Sequence, residues 1–424
     1  MRILLSAIAC HPEHGSEGGV GWKAAVALAR EHEIHVLTST ANQKSIESAL
    51  SATKIPNLCF TYFGQDSPYH ENRLIARGQS WLRYLAWMKE SLPQARRLLS
   101  KQTFDVIHHV TYSSWRVPSP LWQLGIPFIW GPIGGVATYP IHLMGKLSLR
   151  SAAFELLRSA SNALAARSPS LRRCIRNSSA IVASNRETLV KLAGLRGHSS
   201  GLHLLSPSLF TQRQMEEFAC DPRAKGDTEP MRMFAGGNLI GPKGVVFALE
   251  AVRMAMDQGV PCRFLIASGG PEVSFLKKQA RRLGLNGLVE FHLGFSGMAY
   301  IEKLKEAHVF LLPSFRENAP GTILEAMLSG CVPIVVDASA QGEIVNADYG
   351  FKIPPGAAYE ISEGLANALV TLHRQPAMRV AMGTRAAKFV QEHFSEENYE
   401  RGINAVYGSL AAGSPPSRGP GSRN

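Results

Sequence analysis

The stretch SFRENAPGTILEAMLSGCVPIVV, residues 314–336, carries two acids, Glu317 and Glu325, on either side of a Pro-Gly step. The preceding HVFLLPS (308–314) is apolar and rich in strand formers, and PIVV (333–336) reads as a second buried strand. Pro320 suits the first position of a helix and Gly330 the residue just past its end. Strand, loop, short helix and strand make a parallel crossover unit. Such sheets bind ligands at the carboxyl ends of their strands, where the helix N-termini point. The N–H groups near Gly321, Thr322 and Ile323 are expected to be free donors at the positive end of the helix dipole, an anion site. A single carboxylate there would simply complement the dipole, and for Glu325 alone that reading competes. Two carboxylates beside one anion site repel the anion unless hydroxyl groups come with it. A nucleotide sugar brings both phosphate and hydroxyls.

The chain has 424 residues, enough for two cores, and its 45% hydrophobic content is that of a globular protein. No run approaches the roughly 20 apolar residues needed to span a bilayer. MRILLSAIACHPEHG at the N-terminus has no small-residue cleavage site and is expected to open a first strand. Six cysteines, at 10, 59, 174, 220, 262 and 331, show no paired spacing. They suit a reducing cytoplasm and give no zinc signature. The net charge of +12 lies wholly in the first half: residues 1–200 hold 23 Lys/Arg against 11 Asp/Glu, and residues 201–424 hold 22 against 22. Basic surfaces attract nucleic acid, anionic lipid or anionic small molecules. No nucleic-acid reading motif is present, so nucleic acid is not an expected partner.

Strands and helices alternate in both halves. RILLSAIAC (2–10), EIHVLTS (33–39), NLCFTYFG (57–64), FDVIHHV (104–110), PFIWG (127–131) and SAIVASN (179–185) are predicted strands of the first half. MRMFAGGN (231–238) and RFLIASG (263–269) join the strands around Glu317 in the second. GVGWKAAVALAREH (19–32) and GVVFALEAVRMAMDQG (244–259) are predicted helices. The alternation implies parallel sheets covered on both faces. EEFACDPRAKGDTEP (216–230) is polar and lacks period, marking a loop near the boundary between halves, and AAGSPPSRGPGSRN (411–424) is expected to be disordered.

Three further places carry candidate chemistry. In AGGNLIGPKGVVFALEAV (235–252) a strand ends at Gly236-Gly237, and Lys243 stands at the start of a helix. A cation there opposes the dipole unless an anion is shared between them; a solvated loop lysine is the alternative. HPEHGSEGGVGW (11–22) is a glycine-rich strand-to-helix loop without the dinucleotide G-x-G-x-x-G pattern. His108 and His109 end a strand, where alternation aims only one of them at a cleft and a packed histidine is the commoner case. Residues 140–177 hold seven Lys/Arg, His142 and one acid, Glu155, with Leu and Ala at helical spacing. That pattern suits either a helix lying on an anionic membrane or one packed on its own domain.

Together these stretches resemble glycosyltransferase family 4, the retaining nucleotide-sugar transferases of GT-B fold, from residue 1 to about 407. The resemblance rests first on Glu317, seven residues, Glu325 and AMLSGCVPIVV. It is supported by the Gly-Lys-Gly region 236–244, SGGP (268–271), IPPG (353–356) and FSEENYERGINAVY. ACHPEHGSEGGVGW and GPIGG look like a subset found in bacterial surface polysaccharide assembly. The resemblance implies that Glu317 lies beside the donor sugar, that Glu325 binds the ribose, and that Lys243 and the backbone N–H groups of Gly321 and Thr322 hold the diphosphate. Gly237, Asn238, Gly269, Gly270, Asn318, Ala319 and Pro320 complete the implied donor site. Gly15, Glu17, Gly18 and Gly19 form the acceptor-side loop of the cleft. The family usually has an Arg where this chain has Asn238. It often has a His where this chain has Trp130 and Gly131, which makes His109 the candidate substitute beside Lys243 and Glu317 in the catalytic set.

The expected protein is therefore α/β of GT-B fold, two Rossmann-like domains facing across a cleft. Residues 1–205 are expected to form an acceptor-binding domain and 206–393 a nucleotide-sugar-binding domain, with 394–410 a helix crossing back and 411–424 a tail. The implied reaction is retaining hexosyl transfer from a nucleotide sugar to a polyprenyl-diphosphate-linked or polysaccharide acceptor in surface glycan synthesis. No cofactor is expected, and no metal, since no Asp-x-Asp pair is present. The leaving diphosphate would be stabilised by Lys243 and a helix N-terminus. A nucleotide-sugar epimerase or hydrolase of the same fold, or a non-catalytic sugar-nucleotide sensor, are the alternatives. The expected location is the cytoplasm, peripheral on the inner face of the plasma membrane.

Overall fold

The computed structural model describes residues 1–13, 16–64, 73–112, 114–226, 230–294 and 297–412. Gly15 and residues 413–424, which sequence reading assigned to the cleft loop and the tail, lie outside these. Seven strands form the first sheet: β1 (Arg2–Ala7), β2 (Glu33–Ser39), β3 (Leu58–Phe63), β4 (Val106–Thr111), β5 (Phe128–Ile133), β6 (Ala180–Ala183) and β7 (Leu202–Leu204). Six form the second: β8 (Met231–Gly236), β9 (Cys262–Ala267), β10 (Val289–His292), β11 (Val309–Leu312), β12 (Val332–Val336) and β13 (Phe351–Ile353). The orders are β3-β2-β1-β4-β5-β6-β7 and β10-β9-β8-β11-β12-β13. Every strand pairing is parallel. Both sheets reverse direction beside their first strand, the position where such sheets open a crevice. The central strands β4, β5, β11 and β12 are buried along their whole length, as strands covered on both faces must be.

The decisive crossover folds as its sequence dictates. Helix Gly321–Leu328 buries Ile323, Leu324, Ala326, Met327 and Leu328. It is apolar nearly all round because it lies between the sheet and helix Pro376–His393. It ends in a Schellman motif, with Cys331 N–H donating to Ala326 O and Gly330 N–H to Met327 O, both at 2.9 Å. Gly330 sits at φ +69°, and a Cβ there would stand 2.7 Å from Pro222 Cγ. Pro320 behaves differently from expectation. At φ −80° and ψ 72° it is the cap rather than the first helical residue, the centre of an inverse γ-turn.

Beyond the connection from β7 to β8, two segments of the chain pack into the core of the opposite half. Helix Glu396–Ala412 returns to the first sheet, where Tyr399, Ile403, Val406 and Tyr407 join the core of Ile3, Leu5 and Val36. Residues 139–147 go the other way: Tyr139, Leu143 and Leu147 are buried in the core of the second sheet with Val245, Phe247 and Phe264. Burying a leucine contributes about 1.5–3 kcal/mol. The strap is also pinned by polar bonds, Lys146 to Glu250 at 2.5 Å and Ser151 Oγ to Glu272 at 2.7 Å.

The basic segment 140–177 is two helices, Leu149–Arg167 and Pro169–Asn177, rather than one. Pro169 breaks the run: it opens the second helix, and Ser168 caps it by accepting from Leu171 N–H. All six cysteines are free. Among the described residues, no helix is long and apolar enough to cross a membrane.

Candidate functional site

The loop after β8 brings Lys243 to the crossover. Gly237 turns the chain at φ +91°, and a Cβ there would lie 3.4 Å from Lys243 Nζ and 3.7 Å from Thr322 Cγ2. Gly244, at φ +66°, presses against β11's end so closely that a Cβ would stand 2.0 Å from Pro313 O. No side chain fits, and the loop delivers Lys243 onto Glu317. Lys243 Nζ and Glu317 Oε1 are 2.6 Å apart, with the two side chains 13% and 9% exposed. The pair is nearly dry, which strengthens its attraction and raises the cost of removing one partner alone.

The Glu317 backbone is held from two sides. Its N–H donates to Ser339 Oγ at 3.1 Å, and its carbonyl accepts from Ser339 Oγ at 2.7 Å and from Asn185 Nδ2 at 3.1 Å. Asn185 belongs to the first half, where it also caps helix Arg186–Arg196. Asn318 makes the second inter-half contact: its Oδ1 accepts from Gly135 N–H at 2.7 Å. The GPIGG segment thus docks directly beside Glu317.

Glu325 points back along the helix and accepts from Tyr300 O–H at 3.1 Å. Burial raises the Glu325 carboxyl above the usual range, opposed by Tyr300 and by the Lys23 ammonium. Burial, followed by Glu325, pushes the Tyr300 phenol well up, so it remains a donor. Lys23 arrives from helix Ser16–Leu28 of the first half, anchored to Leu209 O and Gln214 Oε1, each at 3.1 Å.

The helix N-terminus is less open than the sequence suggests. Gly321 N–H donates to Ala319 O at 2.9 Å and Ile323 N–H to Pro320 O at 3.1 Å, because the γ-turn at Pro320 folds the chain back on itself. Asn238 is exposed. Gly269 O accepts from Leu239 N–H at 3.0 Å, and a Cβ on Gly270 would stand 2.3 Å from Leu239 O. The loops after β8 and β9 are therefore stacked.

Gly18 and Gly19 lie in the first turn of helix Ser16–Leu28, at the end of β1, with Gly18 O accepting from His11 N–H at 3.0 Å. Glu17 lies in the same turn.

His109 does not join Lys243 and Glu317. It is fully buried, bonded to Ser6 Oγ at 2.9 Å and Tyr84 O–H at 3.4 Å. Burial, with His108 beside it, lowers its pKa to about 3. His108 points to the opposite sheet face, bonded to Tyr407 O–H at 2.8 Å and Gly131 O at 2.7 Å, and burial lowers it to about 4. Both are neutral packing histidines; His108 fastens the returning helix. Among the described residues, no group of three or more His, Cys, Asp or Glu is placed to hold a metal.

Tyr300, Asn185, Ser339 and Lys23 were not singled out from sequence. Each is an isolated polar residue on a separate element, and only the folded chain brings them together.

Residues 222–389 match the family described as Glycosyl transferases group 1. The chain is 28% identical over 206 residues to WcaL of Escherichia coli (strain K12), a protein named for colanic acid biosynthesis, covering 46% of this chain and 49% of that one. It is 27% identical over 191 residues to the amylovoran biosynthesis glycosyltransferase AmsK of Erwinia amylovora, covering 43% and 46%. The chain spans about half the length of the curated relatives it matches. Its fold is similar to that of Anabaena Alr3699/HepE, solved in complex with UDP, at TM-score 0.62 and 15% identity over 96% of this chain and 99% of that one.

Proposed function

From a chain whose residues 222–389 match the family described as Glycosyl transferases group 1, we propose a glycosyltransferase that moves a sugar from a nucleotide-sugar donor to a glycan acceptor of a bacterial surface polysaccharide, with retention at the anomeric carbon. The observation that carries this reading is the buried Lys243–Glu317 pair at the mouth of the crossover helix. A donor diphosphate offers Lys243 a stronger partner, and the released Glu317 carboxylate accepts from sugar hydroxyls. Glu325, oriented by Tyr300, accepts from the ribose hydroxyls. The bond from anomeric carbon to phosphate oxygen breaks, and negative charge grows on the diphosphate. Lys243 and the helix dipole stabilise that charge, which gives the chemistry its cation without a metal. The acceptor oxygen bonds to the anomeric carbon on the same face, and its proton passes to a phosphate oxygen of the leaving group. The UDP complex of HepE and the polysaccharide roles of WcaL and AmsK support this reading.

The test is donor consumption with and without a lipid-linked oligosaccharide extract. Nucleotide release that requires the extract, with a product of unchanged anomeric configuration by NMR, is expected. Release without acceptor would favour an epimerase or hydrolase, and binding without release a sensor.

The acceptor is proposed to be lipid-linked, reached from an anionic membrane surface. Helix Leu149–Arg167 supports this, because it is packed inside out. It buries Ser151, Glu155 and Asn162 while Leu149, Phe154, Leu157 and Leu164 stand 60–91% exposed. Arg150 and Arg167 of this helix and Arg172, Arg173 and Arg176 of the next are exposed. An exposed apolar stripe on a helix that also carries exposed cations suits an anionic interface, where each basic residue contributes about 1 kcal/mol.

A further inference from the structure

Helix Leu149–Arg167 turns three polar residues inward, Ser151, Glu155 and Asn162. Spacings of four and seven put them on one face of the helix. Buried polar groups have to be hydrogen-bonded, and each of these finds its partner in a loop at the carboxyl end of a strand. Ser151 Oγ donates to Glu272, after β9, at 2.7 Å. Glu155 pairs with Arg316, after β11, with the Glu155 and Arg316 side chains 2% and 11% exposed. Asn162 Nδ2 donates to Val136 O, after β5, at 3.0 Å, and its Oδ1 accepts from Trp115 Nε1, after β4, at 3.2 Å. The loop after β8 presses on the start of the same helix: a Cβ on Gly241 would stand 2.8 Å from Leu147 Cδ2 and 3.1 Å from Ser151 Cβ. One helix thus braces loops from both sheets.

The bracing is closest around Glu317. Arg316 bonds Glu155 and Asn318 bonds Gly135, both of the first half, while Glu317 between them turns to Lys243 of the second. Gly135 is itself held, its carbonyl accepting at 2.8 Å from Nη2 of Arg158, one turn beyond Glu155. Side chains fixed on either side of one residue leave its backbone little freedom, so the Glu317 carboxylate is aimed by partners it does not touch. Losing one member of a buried ion pair disrupts the arrangement around the other, and a shift of about 1 Å at a reacting centre can cost about a hundredfold in rate. We propose that Glu155 and Arg316 are positioning residues for glycosyl transfer, which hold Glu317 at the donor sugar and act through it. This rests on the glycosyl-transfer reading of the Lys243–Glu317 site, and it gives the first half a part in the donor chemistry.

The experiment is a double-mutant cycle on the full chain. It measures kcat and KM for the nucleotide sugar that the extract assay consumes, calorimetric affinity for its nucleoside diphosphate, and melting temperature. Glu155→Gln is expected to lower kcat about tenfold or more and to leave KM and nucleoside diphosphate affinity unchanged. In the Glu317→Gln background it is expected to cost nothing further, the non-additivity of residues that act as one unit. Arg316→Gln is expected to match Glu155→Gln, and Arg316→Lys, which keeps a cation opposite Glu155, to recover most of the lost kcat. Glu155→Asp keeps the charge and shortens the reach by one methylene. It is expected to fold like wild type and to show a smaller kcat loss that also vanishes in the Glu317→Gln background, so the cycle closes even where Glu155→Gln does not fold. Glu155 variants that lower the melting temperature alone would make the pair purely structural and overturn the proposal. So would losses that multiply when Glu155 and Glu317 are changed together. Turnover that Glu317→Gln leaves unchanged would defeat the donor reading, and the proposal with it.

Discussion

Lys243 Nζ lies 2.6 Å from Glu317 Oε1, so the cation and carboxylate given to two different parts of the donor neutralise each other before it arrives. The pair explains how a lysine tolerates the positive end of a helix. On the proposed reading, each would hold the other until a ligand carrying both phosphate and hydroxyls replaced them.

Glu317→Gln keeps an acceptor for Lys243 and removes only the charge. Its melting temperature is expected to stay close to wild type while turnover falls at least tenfold, on the scale of a lost charge-assisted hydrogen bond. Equal turnover in a steady-state assay would remove Glu317 from the site.

Tyr300→Phe removes the hydrogen bond that Tyr300 O–H donates to the Glu325 carboxylate. Nucleoside diphosphate affinity is expected to fall about fivefold, the scale of one hydrogen bond of roughly 1 kcal/mol. A 2′,3′-dideoxy nucleotide should bind wild type and variant alike. An equal loss for both ligands would mean that Tyr300 acts only through packing.

His108 and His109 set a pH dependence of stability. Their folded pKa values, about 4 and about 3, lie below the unfolded value near 6.5. Between these limits the unfolded chain binds protons that the folded chain refuses. Stability is therefore full above about pH 6.5 and falls as pH drops toward 4 and 3, by about 1.4 kcal/mol per pH unit for each histidine. Urea titrations from pH 7 to 4.5 measure the slope, and His109→Asn should make it shallower. An unchanged slope would remove His109 from the account.

The inverted helix predicts liposome binding that depends on both apolar and basic residues. Leu157→Glu/Leu164→Glu should abolish co-sedimentation with anionic vesicles at an unchanged melting temperature, since both positions are exposed. Arg172→Glu/Arg173→Glu/Arg176→Glu should weaken it most at low salt, where the Debye length is long. Binding indifferent to lipid charge, salt and both variants would point to a soluble acceptor.

Much of this fold is legible in sequence, because parallel strands buried on both faces appear as short apolar runs and their helices as amphipathic intervals. β4, β5, β11 and β12 are of this kind. β7, β10 and β13 are three or four residues long with exposed or half-buried positions, too short to give a period. At the site, Glu317 and Lys243 are visible because each sits at a strand-to-helix junction where backbone chemistry singles it out, and Glu325 because it follows within the helix that the junction opens. The γ-turn at Pro320 depends on a ψ value that proline leaves free. His109 misled because a strand end looks like a cleft until neighbouring elements bury it. The inside-out helix was half visible: its basic and apolar content could be counted, but which face the first half would cover depended on Glu155 meeting Arg316, 161 residues away.

The most direct test of the donor site is titration calorimetry of a nucleoside diphosphate and of its parent nucleoside against wild type and Lys243→Ala. The account predicts that the diphosphate loses about 1.5–3 kcal/mol of binding energy, the contribution of a charge-assisted hydrogen bond, while the nucleoside binds as before. Equal losses for both ligands, or none for the diphosphate, would contradict it.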